Sequence, residues 1–161
     1  MNYSYIPIAI LAVLAIFVHE INGSSNLGRG FGDNIDWKTM DEGLQLAKES
    51  DTPMMLLIHK TWCGACKALK PKFAASSDIQ QLSENFVMVN VEDDEEPKDS
   101  KYTPDGGYIP RILFLEPNGN VRDDIVNTVG NERYKYYYPS ADHVVLAMRN
   151  ALKKIKSNDE L

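Results

Sequence analysis

The chain has 161 residues, with 17 Lys+Arg against 23 Asp+Glu and a formal net charge of −6. That length suits one domain with a core of its own. Apolar and charged fractions of 43% and 25% are ordinary for a globular protein, and the acidic balance argues against a nucleic-acid partner.

Residues Ile6 to Val18 form an apolar run interrupted only by Pro7. It is too short to span a bilayer comfortably. Small and polar residues follow, Asn22-Gly23-Ser24-Ser25. This order predicts a secretory signal peptide over residues 1–23, cut near Gly23 to Ser25. The leading Met1 to Tyr5 carries no Lys or Arg, so an uncleaved anchor is the alternative. Once cleaved, the chain is expected to keep no membrane span. Asn22-Gly23-Ser24 also matches a glycosylation acceptor, but it sits at the cut.

The main domain is expected over residues 24–157. Gly28 to Asp33 is glycine-rich and aperiodic, an extended lead-in. Asp36 is placed to cap a helix beginning at Trp37. Trp37, Met40, Leu44 and Ala47 then fall on one helical face, and Ser50-Asp51-Thr52-Pro53 ends it. Met54 to Ile58 is apolar without alternation, as in a strand covered on both faces.

Lys60-Thr61-Trp62-Cys63-Gly64-Ala65-Cys66-Lys67 follows at once and holds the only two cysteines. Strand, Cys-x-x-Cys, then helix is the setting of a redox dithiol. At the amino end of a helix, unpaired backbone N–H groups and the helix dipole stabilise a thiolate. The thiolate is the attacking form, which makes Cys63 the nucleophile and Cys66 the resolving thiol. A zinc site needs about four ligands. The remaining candidates are His19, His59 and His143, at spacings that do not favour a site, so no metal is expected. A purely structural disulfide closing so short a loop restricts the unfolded chain little.

The helix after the motif carries Pro71, where a kink is expected; Leu69, Phe73 and Ala74 face the core. A short helix from Asp78 and a strand over Phe86 to Val91 come next. Glu92-Asp93-Asp94-Glu95-Glu96 is most simply a solvated acidic loop, with a weak calcium patch or a repulsive screen as sharper readings. Tyr108-Ile109-Pro110-Arg111 leads into a strand over Ile112 to Leu115. Pro117-Asn118-Gly119-Asn120 is a hairpin turn, and Val121 to Val126 is the returning strand. The tyrosines from Tyr134 to Tyr138 form either a binding surface or a short strand with Tyr136 and Tyr138 inward. Ser140 caps a last helix with Val144, Val145, Met148, Leu152 and Ile155 as its apolar stripe. The chain ends Asn158-Asp159-Glu160-Leu161, one residue from the Lys- and His-led retrieval signals. With the signal segment and the motif, residues 158–161 predict retention in the endoplasmic-reticulum lumen through a retrieval receptor.

These elements make an α/β domain: a mixed sheet of about four strands with helices on both faces, its first two strands parallel. Trp62-Cys63-Gly64-Ala65-Cys66-Lys67, Pro71 and Ile109-Pro110 resemble the thioredoxin superfamily. Longer stretches, Gly28 to Asp33, His59 to Phe73, Glu95 to Asp99 and Pro104 to Leu115, are similar to its small endoplasmic-reticulum members, relatives of the anterior gradient proteins. The resemblance implies a thioredoxin fold and a cis peptide bond before Pro110, lying against the cysteines. It implies a glutathione-linked protein-disulfide oxidoreductase without a cofactor beyond the Cys63/Cys66 pair. Its substrates would be secretory client proteins bound at Trp62, Gly64, Ala65, Tyr108, Ile109 and Pro110.

This sequence departs from the superfamily at two places. A buried carboxylate six residues before the first cysteine is replaced by Leu57, with Glu92, Lys60 or water as candidate substitutes. Protein disulfide isomerase has Gly-His where Gly64-Ala65 stand, so a less oxidising disulfide is expected. A chaperone-like binding module with little turnover is the competing class, as in anterior gradient relatives that lost the second cysteine. A secreted signalling protein is a weaker reading, against which the tail speaks.

Overall fold

Met54–His59 (β2) is buried at every position, so it lies in the middle of the sheet. The computed structural model describes residues 26–156. The predicted signal segment, with His19, and the predicted retrieval tetrapeptide lie outside the described residues. In chain order the elements are β1 (Trp37–Lys38), α1 (Met40–Ser50), β2, α2 (Gly64–Ala74), α3 (Ser77–Ser83), β3 (Val87–Glu92), β4 (Arg111–Leu115) and α4 (Ala141–Lys156). Short 3-10 turns cover Asp93–Glu95 and Ser100–Tyr102. The sheet has four strands in the order β1-β3-β2-β4. β1, β3 and β2 run parallel, and β4 is antiparallel to β2. Among the described residues no helix is long and apolar enough to cross a membrane.

Side chains alternate through this sheet into two apolar layers. Met55, Leu57, Met88, Ile112 and Phe114 point to one side, against Leu69 and Phe73 of α2, Ile79 of α3, and Val144, Met148 and Ile155 of α4. Met54, Leu56, Val87, Val89 and Leu113 point to the other, against Ala47 of α1. Helices therefore cover both faces, as the sequence implied. The register sets Leu57 beside Asn90 and Ile112, and His59 beside Glu92.

Several expectations are corrected. The first helix begins at Met40, not Trp37, because Thr39 and Glu42 form a capping box. Trp37 belongs to the edge strand β1 and packs on Phe73 across the sheet from Ala47; its helical spacing is a coincidence of two elements. α3 is capped by Ser76, one residue before Ser77, rather than starting at Asp78. Pro71 lies within α2, which continues to Ala74; Ala74 is only half-buried. The turn at Asn118-Gly119 forms, with Gly119 at φ 85°. Its return strand stops after a single bridge between Leu115 and Val121, where the backbone turns and Ile125 N donates to Arg122 O at 3.1 Å. The rest of the β4 edge is covered by Tyr136, whose carbonyl accepts from Ile112 N at 3.0 Å. Tyr136 and Tyr138 are both buried but in opposite layers, and no strand forms there.

Gly43 sits where α1 crosses β3, and a Cβ there would overlap Val89 Cγ2 and lie 3.3 Å from Met54 Sδ. Gly43→Ala should therefore destabilise the protein by about 1–3 kcal/mol of overpacking, less about 1 kcal/mol gained in helix propensity. Urea unfolding checks this; a more stable variant would contradict the packing.

Candidate active site

β2 carries the chain to the carboxyl edge of the sheet, and the motif turns there. Cys63 is the N-cap residue of α2, with extended backbone at φ −75° and ψ 117°. Its sulfur accepts the N–H of Cys66 at 3.0 Å, one of the helix's otherwise unpaired donors. Cys63 and Cys66 are joined as a disulfide, with Cα atoms 5.3 Å apart. Cys63 is 5% exposed and Cys66 0%, so approach is from the Cys63 side. Trp62 beside it is 72% exposed, and Gly64 and Ala65 are exposed as well.

The opposite wall is the loop before β4. The Ile109-Pro110 peptide bond is cis, and Ile109 O lies 3.9 Å from Cys63 Sγ. Pro110 is buried and Ile109 half-buried. Tyr108 turns its hydroxyl inward: it donates to the Asp105 carboxylate at 2.7 and 2.8 Å and accepts Tyr136 N at 2.9 Å. Burial, and then Asp105, hold its phenol well above the usual range. Tyr108 thus offers an aromatic face, edge-on to Tyr134 at 5.0 Å, and Tyr134 is 45% exposed.

Asp94 and Glu95 of the acidic run face solvent, as in a solvated loop, but Glu92, Asp93 and Glu96 are half-buried, because cations scattered through the sequence converge on the run. The Asp93 carboxylate accepts Thr61 N and Thr61 Oγ1, each at 2.9 Å. Lys60 Nζ donates to Asp93 O and pairs with Glu96 at 2.6 Å. Arg111 pairs with the other oxygen of Glu96. Arg29 makes a forked pair with Glu95, one arm at 2.7 Å. Glu92 takes Lys70 at 3.5 Å. Asp94 remains exposed. Asp93 and Glu95 are held below the ordinary carboxylate range, by the Thr61 N–H and by the Arg29 hydrogen bond respectively. Burial pushes Glu96 up, but the hydrogen bonds from Lys60 and Arg111 outweigh it and the net direction is down.

Two buried polar residues were missed in the sequence. Arg111 is 0% exposed and also donates to Tyr108 O. A cation opening a fully buried strand demands a carboxylate, and that signal was available. His59 is fully buried. Asn90 Nδ2 donates to Leu27 O and Gly28 O, which turns its Oδ1 to accept His59 Nε2–H at 2.8 Å. Burial lowers the His59 pKa against the opposing pull of Glu92, whose carboxylate lies 3.4 Å from Nδ1. At the position where relatives carry a carboxylate, Leu57 packs in the core. Of its candidate substitutes, Lys60 is tied to Glu96 and Glu92 stands between Lys70 and His59. His143 pairs with Asn127 at 3.0 Å, and no metal-holding cluster occurs among the described residues. The cleft of about 510 Å³ beside Ser77, Gln80 and Met88 lies away from the dithiol.

A thioredoxin-like family model matches residues 36–117, more than half of the chain. Anterior gradient protein 3 of Mus musculus is 38% identical over 153 residues, covering 93% of this chain and 92% of that protein. Anterior gradient protein 2-B of Xenopus laevis is 37% identical, covering 86% and 84%. The anterior gradient protein 2 homolog of Homo sapiens is 38% identical, covering 81% and 74%. Among solved structures, a DsbH oxidoreductase has a TM-score of 0.54 at 18% identity, over 76% of this chain and 87% of that one. A thioredoxin from Thermus thermophilus has the same score and identity, over 76% and 90%. These two structures establish likeness of fold.

Depressed carboxylates stabilise the fold above their unfolded pKa and lose that contribution as pH falls through the folded value. With unfolded values of about 3.9–4.3, the melting temperature should hold above about pH 5 and fall progressively toward pH 3. Thermal unfolding across that range should show a smaller fall in Glu96→Gln. An equal fall in both proteins would mean that Glu96 is not part of the acid response.

Proposed function

Because the chain belongs to the thioredoxin-like family, among the relatives of the anterior gradient proteins, we propose that it is a glutathione-linked thiol–disulfide oxidoreductase of the endoplasmic-reticulum lumen. Its oxidoreductase character rests on one observation: a Cys63–Cys66 disulfide at the start of α2, facing Ile109 O. Family and fold alike support a dithiol that needs no further cofactor. The lumenal setting follows from residues 1–23 and 158–161, and the glutathione coupling from the family resemblance.

In the reduced protein Cys63 is the nucleophile. Its thiolate keeps the Cys66 N–H as a partner, in the place where a helix end favours negative charge. It attacks one sulfur of a client disulfide; the other client sulfur leaves as a thiolate and takes a proton. Cys66, deprotonated, then attacks Cys63 Sγ. The internal disulfide re-forms, and the second client sulfur leaves as a thiolate. Two electrons have passed to the client. Two glutathione thiols return them to Cys63–Cys66 and depart as glutathione disulfide. The reverse sequence oxidises a client dithiol. Trp62, Gly64 and Ala65 on one side and Tyr108, Ile109 and Pro110 on the other form the groove for an extended client segment, whose backbone pairs with that of Ile109.

Cys66→Ser should accumulate mixed disulfides with clients and with glutathione, whereas Cys63→Ser should not. Non-reducing electrophoresis after acid quenching reads this, and trapping by Cys63→Ser alone would reverse the assignment. Removal of Asn158 to Leu161 should release the protein into the culture medium. A truncated chain retained as fully as the intact one would show that the tail is not a retrieval signal.

A further inference from the structure

The two walls of the proposed groove come from distant parts of the chain. One is the motif stretch Trp62, Gly64 and Ala65, which Lys60 and Thr61 lead into; the other is Tyr108 to Pro110. They share a single carboxylate. Glu96 Oε2 takes Lys60 Nζ at 2.6 Å, and Glu96 Oε1 takes Arg111. Resting on the reading of this groove given above, we propose that Glu96 is its positioning residue, holding the walls at the separation that an extended peptide needs and so favouring peptide disulfides over small ones.

Arg111 has little choice of partner. Its side chain is fully buried, it follows Pro110 directly, and its remaining contact is the carbonyl of Tyr108. Moving Arg111 therefore moves the Tyr108–Pro110 wall. Lys60 is equally placed, three residues before Cys63 and tied to both Glu96 and Asp93 O. Asp93 holds the next residue, Thr61, by backbone and hydroxyl. To do so its backbone takes φ 53°, a region most side chains avoid. Backbone strain of this kind persists where the surroundings fix it. Lys60 and Glu96 are only 18% and 24% exposed, so water screens this junction less than an open surface pair.

A small disulfide reaches Cys63 from the open side and touches neither wall for any length. A peptide must lie between them, along Ile109. Loosening the junction should therefore weaken peptide binding and leave the chemistry of the sulfurs alone. Two variants separate this from loss of folding. Glu96→Gln removes the charge and keeps the shape. Lys60→Met frees only the motif wall and leaves the Glu96–Arg111 pair in place, so it decides the matter if Glu96→Gln does not fold.

The probes are an unstructured peptide of about ten residues bearing one glutathione-linked cysteine, and dithiobis(nitrobenzoic acid) as the small disulfide. The expected result is a KM for the peptide, with glutathione as reductant, raised at least about five-fold, a loss of about 1 kcal/mol in binding, with the single-turnover rate constant of the pre-reduced protein on the small disulfide within about two-fold of wild type. Equal losses on both substrates, or no change on either, would overturn the inference. Failure of the pre-reduced wild-type protein to reduce the small disulfide would overturn the oxidoreductase reading instead. In that event, titration of a cysteine-free form of the peptide into wild type and Lys60→Met still decides: weaker binding by the variant supports the junction, and equal affinity refutes it.

Discussion

A guanidinium enclosed at the head of a fully buried strand cannot go unpaired. Breaking a buried pair by removing one partner costs about 3–5 kcal/mol, which is a large part of a domain's stability. Arg111 opens β4, every residue of which is buried, and Glu96 answers it. The segment after β3 must therefore fold back beneath the motif. Once there, Asp93 and Glu96 meet Thr61 and Lys60, and Glu95 meets Arg29. The acidic run that neutralises that charge thus also holds the motif loop through Lys60 and Thr61 and the amino-terminal lead-in through Arg29.

The dithiol itself depends on little more than helix geometry. Cys63 caps α2 and Cys66 lies inside its first turn, so the two sulfurs meet without help from distant side chains. What the surroundings add is access. One sulfur is screened, the other faces a backbone carbonyl, and an exposed indole stands beside it. Behind the motif stand the aliphatic Leu57 and the fully buried His59, with the Glu92–Lys70 pair at their margin.

Features set by neighbours in sequence were legible, and features set by distant charges were not. The apolar run of β2, the motif, and the α4 stripe are local patterns, and each appears where its residues place it. The edge strand β1 is only two residues long, too short to carry a period, and Trp37 fell by accident into the spacing of α1. Val121 to Val126 has strand-like ends, but the backbone closes a turn from Arg122 to Ile125 and the ladder stops. The acidic run was read as solvated because its cations come from four separate segments: the lead-in, the motif, α2 and β4. Only the fold brings them together. The Arg at the head of an otherwise apolar strand was the single clue to that network.

The lead-in before β1 bears on how the chain can be processed. Leu27 O and Gly28 O accept from Asn90, Trp37 Nε1 donates to Gly32 O at 2.9 Å, and Phe31 is fully buried against His59 and Phe73. These residues are wall material rather than a leader. A cut after Leu27 would strip one carbonyl acceptor from Asn90, and a cut after Gly28 both. The fold thus sets how far from its amino end the chain can be shortened before Asn90 loses its carbonyl acceptors and Phe31 its place in the core.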